Sequence, residues 1–264
     1  MIVNYLQQNN IDEYFFIRYW EGGPHVRIRV RKRNSITDKS VNRILRLSIQ
    51  KFFKANPKGK DIKLDKNEFY KNSFTDGKEI NIDDYPWYSN GEVIRKKYIP
   101  EIDRYGGEQM IGKSEKAFIS SSQLVALMLE HRPSFGTKVS FLFAMFNCLI
   151  NKIFQENKED KYKFLVNSAQ FWIKSRIKSD INNKNSLLWK QLDLITNEIN
   201  TLPTLHTFLD DLLDIYQDSR ISLKYRRTII FSQFHMLANR LGVPISYELL
   251  FYQLSLERMR KSNE

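Results

Sequence analysis

The sequence has little cysteine, glycine or proline: among 264 residues it has one cysteine, 10 glycines and 7 prolines. A single cysteine excludes an intramolecular disulfide and is typical of a protein from a reducing compartment. Because Cys148 lies in an apolar segment beside Phe146 and Leu149, we expect it to pack in the core rather than to act as a nucleophile. A composition low in glycine and proline also favours a globular, helix-rich chain.

A long uncharged hydrophobic run is also missing. Residues 139–154, the most apolar stretch, are interrupted by polar side chains and are fewer than the roughly 20 residues that cross a bilayer. The N-terminal residues lack the cationic segment followed by an apolar one that marks a secretion signal. We therefore expect a cytoplasmic protein with no membrane partner, in which residues 139–154 form a buried helix.

Motifs for metals, nucleotides and hydrolase nucleophiles are missing as well. The four histidines, at positions 25, 131, 206 and 235, are scattered and form no HExxH pattern. No GxGxxG, GxxxxGK[ST] or GxSxG stretch occurs. The sequence thus predicts no metal site and no cofactor.

The net charge is strongly positive, at +12 from 42 basic and 30 acidic residues. Such an excess predicts an acidic partner, which could be RNA, a nucleic-acid-bound enzyme, an acidic peptide or an anionic substrate group. The lysines are spread along the chain instead of clustered, so direct tRNA binding is not favoured.

Residues 15–30 predict a β-hairpin on which the first part of the chain is organised. An aromatic and β-branched run is followed by the turn residues Glu21 to Pro24 and then by an alternating run. A period of two places His25, Arg27, Arg29 and Arg31 on one side of the second strand. That side is either a receiver for carboxylate or phosphate groups or a solvent-facing surface. Arginine in place of lysine slightly favours anion binding.

The remaining pattern predicts an α+β fold: an antiparallel or mixed sheet formed mainly by residues 1–112, covered by a helical part at 113–264, in a single domain. A helix capped at Thr37 or Asp38 should run to about Ala55, and residues 79–82 and 92–99 suit strands. Further helices are predicted near 114–131, 137–156, 159–177, 185–200, 204–217, 222–241 and 246–260.

Two later stretches also carry candidate site residues. Arg104 lies in a loop with two glycines and is either an anion-binding group or the partner of a surface salt bridge to Glu101 or Asp103. His235 and Asn239 share a helix face at positions i and i+4. A histidine there can transfer a proton in either direction, although a packing histidine is the commoner case.

Three stretches, in the same order, resemble the motifs of a known family: FIRYWEGGPHVRIR at 16–29, IPEIDRYGG at 99–107 and HMLANRLG at 235–242. They resemble the C-terminal, glutamate-elimination domain of class I lantibiotic dehydratases, and the stand-alone form of that domain in thiopeptide (bacteriocin) biosynthesis. The resemblance covers nearly the whole chain.

The resemblance implies a lyase reaction on a ribosomally made precursor peptide that carries a leader. A separate glutamyl-tRNA-dependent enzyme esterifies Ser or Thr of that peptide, and the elimination domain expels glutamate to leave dehydroalanine or dehydrobutyrine. It also implies that Arg29, Arg104 and His235 are catalytic. The arginines would hold the glutamyl adduct and stabilise charge, while His235 would remove the α-proton or protonate the leaving group. The neighbours Arg27, His25 and Asn239 are expected to bind substrate.

One position departs from the family pattern, and two other functions stay open. Relatives usually have an Asp-Ser pair in the helix after the glycine loop, whereas this chain has Ser121 at the place of the acid. A related pyridine synthase would join two dehydroalanines in a formal [4+2] cycloaddition and release the leader. A non-catalytic subunit would present the peptide or help to hold tRNA. Retention of Arg29, Arg104 and His235 favours elimination over these two functions. The sequence does not determine the oligomeric state, and a homo-oligomer is left open.

Overall fold

The computed structural model divides the chain into two compact units, Met1–Ile99 and Pro100–Glu264. It describes residues 6, 8–31, 37–60, 62–72, 81, 83, 86–155, 157–179 and 194–261. The boundary between the two units, after Ile99, precedes residue 112, where the sequence predicted the change from a sheet-rich part to a helical part. A single domain over the whole chain stays a prediction.

An antiparallel β-hairpin is the main feature of the first unit, as the alternating pattern predicted. Strand β1 (Tyr14–Tyr19) pairs with strand β2 (His25–Val30), and Phe15 lies opposite Arg29. Ile28 and Val30 on β2 pack against a small buried cluster. The cluster consists of Leu6, Ile11, Tyr14 and Ile44, with Phe16 and Val41 also packed against it.

The turn between the strands depends on its glycines. Gly22 and Gly23 have φ angles of +86° and +97°, a region in which residues with a Cβ are strained. Both backbone N–H groups donate to the hydroxyl of Tyr70, at 2.8 and 3.1 Å. A Cβ on Gly23 would lie 3.2 Å from the ring of Trp87, so a larger residue there would require the ring to shift.

The helix predicted after the hairpin is confirmed as α1 (Asp38–Ala55). The hydroxyl of Thr37 accepts from the N–H of Ser40, whose own side chain accepts from the N–H of Thr37, which completes a capping box. Two short helices follow, α2 (Pro57–Lys60) and α3 (Lys66–Asn72).

The strand predicted at 92–99 is wrong, because within the described residues the sheet consists of β1 and β2 alone. β-branched residues suggested a strand, but Ile94 and Ile99 are 41% and 76% exposed. The segment therefore has no buried face that would fix the register of a ladder. Of the other predicted strand, 79–82, only residue 81 lies within the described residues.

The second unit is helical, as predicted. Of the helix predicted near 185–200, the structure describes only the residues from 194 onward, and residues 194–199 are helical. A single 3₁₀ turn, Asp103–Tyr105, precedes the helices. They are α4 (Glu108–Glu130), α5 (Phe135–Ile153), α6 (Lys158–Lys174), α7 (Pro203–Gln217), α8 (Leu223–Leu241) and α9 (Ile245–Lys261).

Helix α5 lies at the centre of this unit. Every residue from 141 to 150 is buried, which confirms the interpretation of the apolar stretch as a core helix. Cys148 is among them, and burial raises the pKa of its thiol to about 11. Helix α4 packs on α7 and α8, and α9 packs on α6 and α5. Among the described residues, no helix has the length and apolar character required to cross a bilayer. The fold is α+β with a helical C-terminal part.

Candidate functional site

His25 holds Arg27 in place on the side of the hairpin opposite the buried cluster, where both side chains are half-buried. The Nε of Arg27 donates to Nε2 of His25 at 3.0 Å, so the ring proton lies on Nδ1, which is 2.8 Å from the carbonyl oxygen of Gly23 and donates to it. Burial, followed by the nearby charge of Arg27, lowers the pKa of His25. The neutral imidazole is the form that can accept this hydrogen bond. His25 is therefore an orienting residue for Arg27.

Aromatic rings support both candidate arginines of the hairpin. The guanidinium of Arg27 lies 3.4 Å from the centroid of the Tyr19 ring and 3.6 Å from the carboxylate of Glu21. The guanidinium of Arg29 lies 5.3 Å from the centroid of the Tyr98 ring. Cation–π contacts restrict a guanidinium while leaving its donors able to bind an anion. The aromatic contacts thus restrict the positions of both guanidinium groups.

Arg104 lies in the 3₁₀ turn at the start of the second unit. Its Nη1 is 3.3 Å from Oε2 of Glu101, which is one of the two surface pairs that the sequence predicted. The pair is exposed, and such pairs contribute about 0–1 kcal/mol. The pair with Glu101 therefore contributes little to the stability of this turn.

The two glycines after Arg104 fix the shape of its turn. Gly106 and Gly107 have φ angles of +93° and +81°. A Cβ on Gly106 would lie 2.7 Å from Cβ of Met110 and 3.0 Å from Cδ1 of Ile229, whereas a Cβ on Gly107 would have no neighbour within 4 Å. The first glycine is needed for backbone conformation and space, and the second for conformation alone.

His235 on α8 forms a hydrogen-bonded pair with Glu248 on α9. Its Nδ1 is 2.9 Å from Oε1 of Glu248, and the side chains are 12% and 1% exposed. A carboxylate only accepts, so Nδ1 carries the proton and Nε2 is the basic nitrogen of the neutral ring. The ring of Trp172 packs beside the imidazole, with centroids 5.2 Å apart. Such a pair can accept a proton at Nε2 and stabilise the resulting imidazolium.

Buried side chains connect the helix of His235 to the turn of Arg104. Arg240 is fully buried with its guanidinium 5.4 Å from the centroid of the Phe118 ring. Tyr105 packs edge-on against the same ring at 4.8 Å, and burial raises the pKa of its hydroxyl to about 12. The position of Arg104 therefore depends on α4 and α8. Asn239 is half-buried on the same face of α8 as His235.

Ser121, which the resemblance aligns with an acid, hydrogen-bonds within its own helix. It is fully buried, and its hydroxyl lies 2.7 Å from the carbonyl oxygen of Ala117 and 3.2 Å from that of Phe118. Its hydroxyl proton is thus used within the helix. The carboxylate next to His235 is that of Glu248 on α9.

Sequence reasoning missed Glu248. Gly242 and Pro244 mark the break between α8 and α9, but His235 and Glu248 lie at unequal distances from it, so the spacing alone does not pair them. The candidate residues are thus grouped by unit, with His25, Arg27 and Arg29 in the first, and Arg104, His235, Asn239 and Glu248 in the second.

Two similarities concern individual proteins. The epidermin biosynthesis protein EpiB of Staphylococcus epidermidis is 29% identical over 156 residues, which are 54% of this chain and 15% of that protein. The chain therefore spans only a small part of this relative. The solved structure of the pyridine synthase TbtD from thiomuracin biosynthesis matches with a TM-score of 0.55 at 14% identity, over 93% of this chain and 86% of that one. At this identity the similarity is one of fold.

The family match covers almost the whole chain. A family model described as "Lantibiotic biosynthesis dehydratase C-term" matches residues 1–258, a range that contains the three motifs and all the candidate site residues. The chain therefore belongs to the family of lantibiotic dehydratase C-terminal domains.

Proposed function

We propose that the chain eliminates glutamate from glutamylated Ser or Thr residues of a precursor peptide and leaves dehydroalanine or dehydrobutyrine. The observation that carries this proposal is the His235–Glu248 pair, a partly exposed imidazole backed by a buried carboxylate. In a non-catalytic presenting subunit the same pair would serve packing alone, whereas in an elimination enzyme it supplies a base. Family membership, at the level of lantibiotic-type biosynthesis, supports a peptide as the substrate.

The reaction needs one base and one stabilised leaving group. The base removes the proton on Cα, the electrons of that C–H bond form the Cα=Cβ double bond, and the Cβ–O bond breaks. Glutamate then leaves with the bonding electrons as a carboxylate. Negative charge develops on the peptide carbonyl next to Cα and on the departing carboxylate, so cationic donors lower the barrier.

We assign the base to Nε2 of His235. A departing carboxylate is stable without a proton near neutral pH, so the step that needs proton transfer is the abstraction from Cα. Once Nε2 is protonated, the ring is an imidazolium against a buried carboxylate, and their attraction stabilises the product of the transfer. Glu248 is a positioning residue, because it acts through His235.

We assign charge stabilisation to Arg29 and Arg104, and substrate binding to Arg27, His25 and Asn239. A guanidinium binds a carboxylate through two parallel hydrogen bonds, and the glutamyl group carries a carboxylate of its own. His25 contributes by holding Arg27. The glutamylated peptide would come from a separate glutamyl-tRNA-dependent enzyme, in the cytoplasm.

Mass spectrometry of a peptide with one chemically glutamylated Ser, incubated with the purified chain, tests this function. The wild type is expected to release glutamate and give dehydroalanine. His235→Ala should slow the release by about 10²–10⁴-fold, and Arg29→Ala and Arg104→Ala by about 10²–10³-fold.

Arg31→Ala is the matched control for the hairpin, since Arg31 is an exposed arginine 3.9 Å from Glu13 and has no assigned role. It should eliminate at the rate of the wild type. An ester that survives in every sample would show that the chain is not an elimination enzyme.

The second candidate is a pyridine synthase, which the similarity of fold to TbtD favours. This reaction joins two dehydroalanines and has no glutamyl group to hold. A dehydrated, azole-bearing peptide distinguishes the two. Cyclisation with loss of the leader, together with an intact glutamyl ester in the first assay, would establish the alternative.

A further inference from the structure

A cleft of about 770 Å³ lies in the second unit, away from the residues assigned above. It is bounded by α5, the start of α6, residues 196 and 197, and the end of α9. Its size falls within the range of small-ligand and peptide side-chain sites, about 300–1,000 Å³.

Positive charge predominates in the lining of this cleft. Four cations, Lys158, Lys161, Arg258 and Arg260, line it with a single acid, Glu159. The carboxylate of Glu159 is already engaged, because it accepts from Lys163 on the next turn of α6. Burial, followed by the charge of Arg258, lowers the pKa of Lys161. An anion between these two cations would relieve their repulsion.

Two buried polar atoms in the lining lack a partner among the described residues. They are Nδ2 of Asn147 and Oγ of Ser255, in side chains that are 7% and 5% exposed. A buried donor without a partner costs about 1–3 kcal/mol. Both atoms can donate, and each exposes less than 1 Å², so an acceptor oxygen in the cleft would pair with them once their side chains rotate towards it.

We propose that this cleft binds an acidic segment of a peptide, with side-chain carboxylates at Lys161 and Arg258. Asn147, Asn151 and Asn197 all line it, and Oδ1 of Asn151 accepts from Nζ of Lys161 at 3.1 Å. An amide side chain both donates and accepts, which suits the N–H and C=O groups of an extended backbone. Ile150 and Met259 add apolar lining. A nucleic acid would call for stacked aromatic platforms, and only Tyr162 among the lining residues is aromatic. This inference rests on the proposed function, in which the substrate is a peptide.

Fluorescence anisotropy with two labelled peptide mixtures tests the cleft on the full chain. One mixture holds octapeptides with Glu at the third and sixth positions and uncharged residues elsewhere, and the other has Gln at those two positions. We expect the Glu mixture to bind at least about tenfold more tightly, a difference of about 1.4 kcal/mol. The double variant Lys161→Gln/Arg258→Gln should lose this preference, and Ser255→Val should weaken it without a change of charge.

The matched control is Lys174→Gln/Lys178→Gln, which removes two exposed cations outside the lining. It should keep the preference for the Glu mixture. Equal binding of both mixtures by the wild type, or an equal loss in the control, would overturn the proposal in favour of non-specific attraction to a +12 chain. A single-stranded RNA 12-mer that binds more tightly than the Glu mixture and depends on Lys161 and Arg258 would assign the cleft to nucleic acid.

The cleft and the proposed elimination can fail separately. Lys161→Gln/Arg258→Gln should still release glutamate from a short glutamylated peptide that has no acidic residues. If the wild type binds the Glu mixture but leaves the ester intact, the cleft stands and the elimination does not.

Discussion

At the scale of single residues, the proposed role of Glu248 requires its negative charge, whereas a packing role requires only its size and its hydrogen bond. Glu248→Gln keeps the size and the hydrogen-bonding ability of the side chain but removes the charge that would face the imidazolium. We expect kcat for glutamate release to fall by about 10²-fold, because general-base catalysis contributes about 10²–10⁴-fold, while KM stays the same. Steady-state kinetics on the glutamylated peptide measures both.

Glu257→Gln is the matched control for this change. Glu257 lies on the same helix and is partly exposed in a pair with Lys261, so it should leave kcat unaltered. A Glu248→Gln enzyme with the kcat of the wild type would mean that the buried carboxylate only fills space.

The lowered pKa of His25 predicts a pH dependence of stability. Because burial disfavours its protonated form, the unfolded chain takes up this proton at a higher pH than the folded chain. The contribution to stability is thus complete above about pH 6.5, the ordinary value for histidine, and is lost as the pH falls towards the lower folded value. Urea denaturation of the wild type and of His25→Gln between pH 7.5 and 5 should show a smaller decline in the variant. Parallel declines would contradict this account.

At the scale of elements, the turn that carries Arg104 contains two glycines whose replacement has different costs: a strained φ angle at both, and a steric clash at one. Gly106→Ala and Gly107→Ala both place alanine at a positive φ, which costs about 1–3 kcal/mol. Only the first also places a Cβ within 2.7 Å of Met110, and overpacking adds about 1–3 kcal/mol. Urea denaturation should therefore show the larger loss for Gly106→Ala, and Gly107→Ala serves as its control. Equal losses would mean that Met110 moves aside at little cost.

Most helices could be predicted from the sequence, whereas one of the predicted strands is wrong. Helices α1 and α4 to α9 have apolar residues at helical spacing and recognisable ends, such as Thr37, Ser134 and Gly242, so local chemistry determines them. The segment 92–99 has strand-forming residues but no buried face. Strand formation depends on a partner and a core, and neither can be seen in a local window.

The candidate site was predictable to the extent that it lies in local motifs. His25, Arg27 and Arg29 alternate along one strand, and the pairing of Arg104 with Glu101 needs only three residues of spacing. The His235–Glu248 contact forms between two helices, and the role of Arg240 depends on burial against Phe118. Such tertiary contacts carry no periodic signal along the chain.

At the scale of the whole molecule, the two units differ in the size of their described cores. The first is built on a four-residue buried cluster, whereas the second has many helices around the fully buried part of α5. We expect residues 100–264 expressed alone to keep their helical circular dichroism and to unfold cooperatively in urea, while residues 1–99 alone unfold at a much lower urea concentration. A fragment 100–264 that melts gradually would show that its stability requires the first unit.

The hydroxyl of Tyr70, which accepts from both Gly22 and Gly23, links the hairpin turn to α3. In amide hydrogen exchange the two glycine protons would be released when α3 opens, whereas those in the middle of β1 and β2 would be released when the ladder opens. The strand that carries the arginines is thus held along its whole length by its pairing with β1, and the turn that precedes it is held by a side chain more than forty residues away. A motion of α3 would therefore disturb first the turn from which this strand starts.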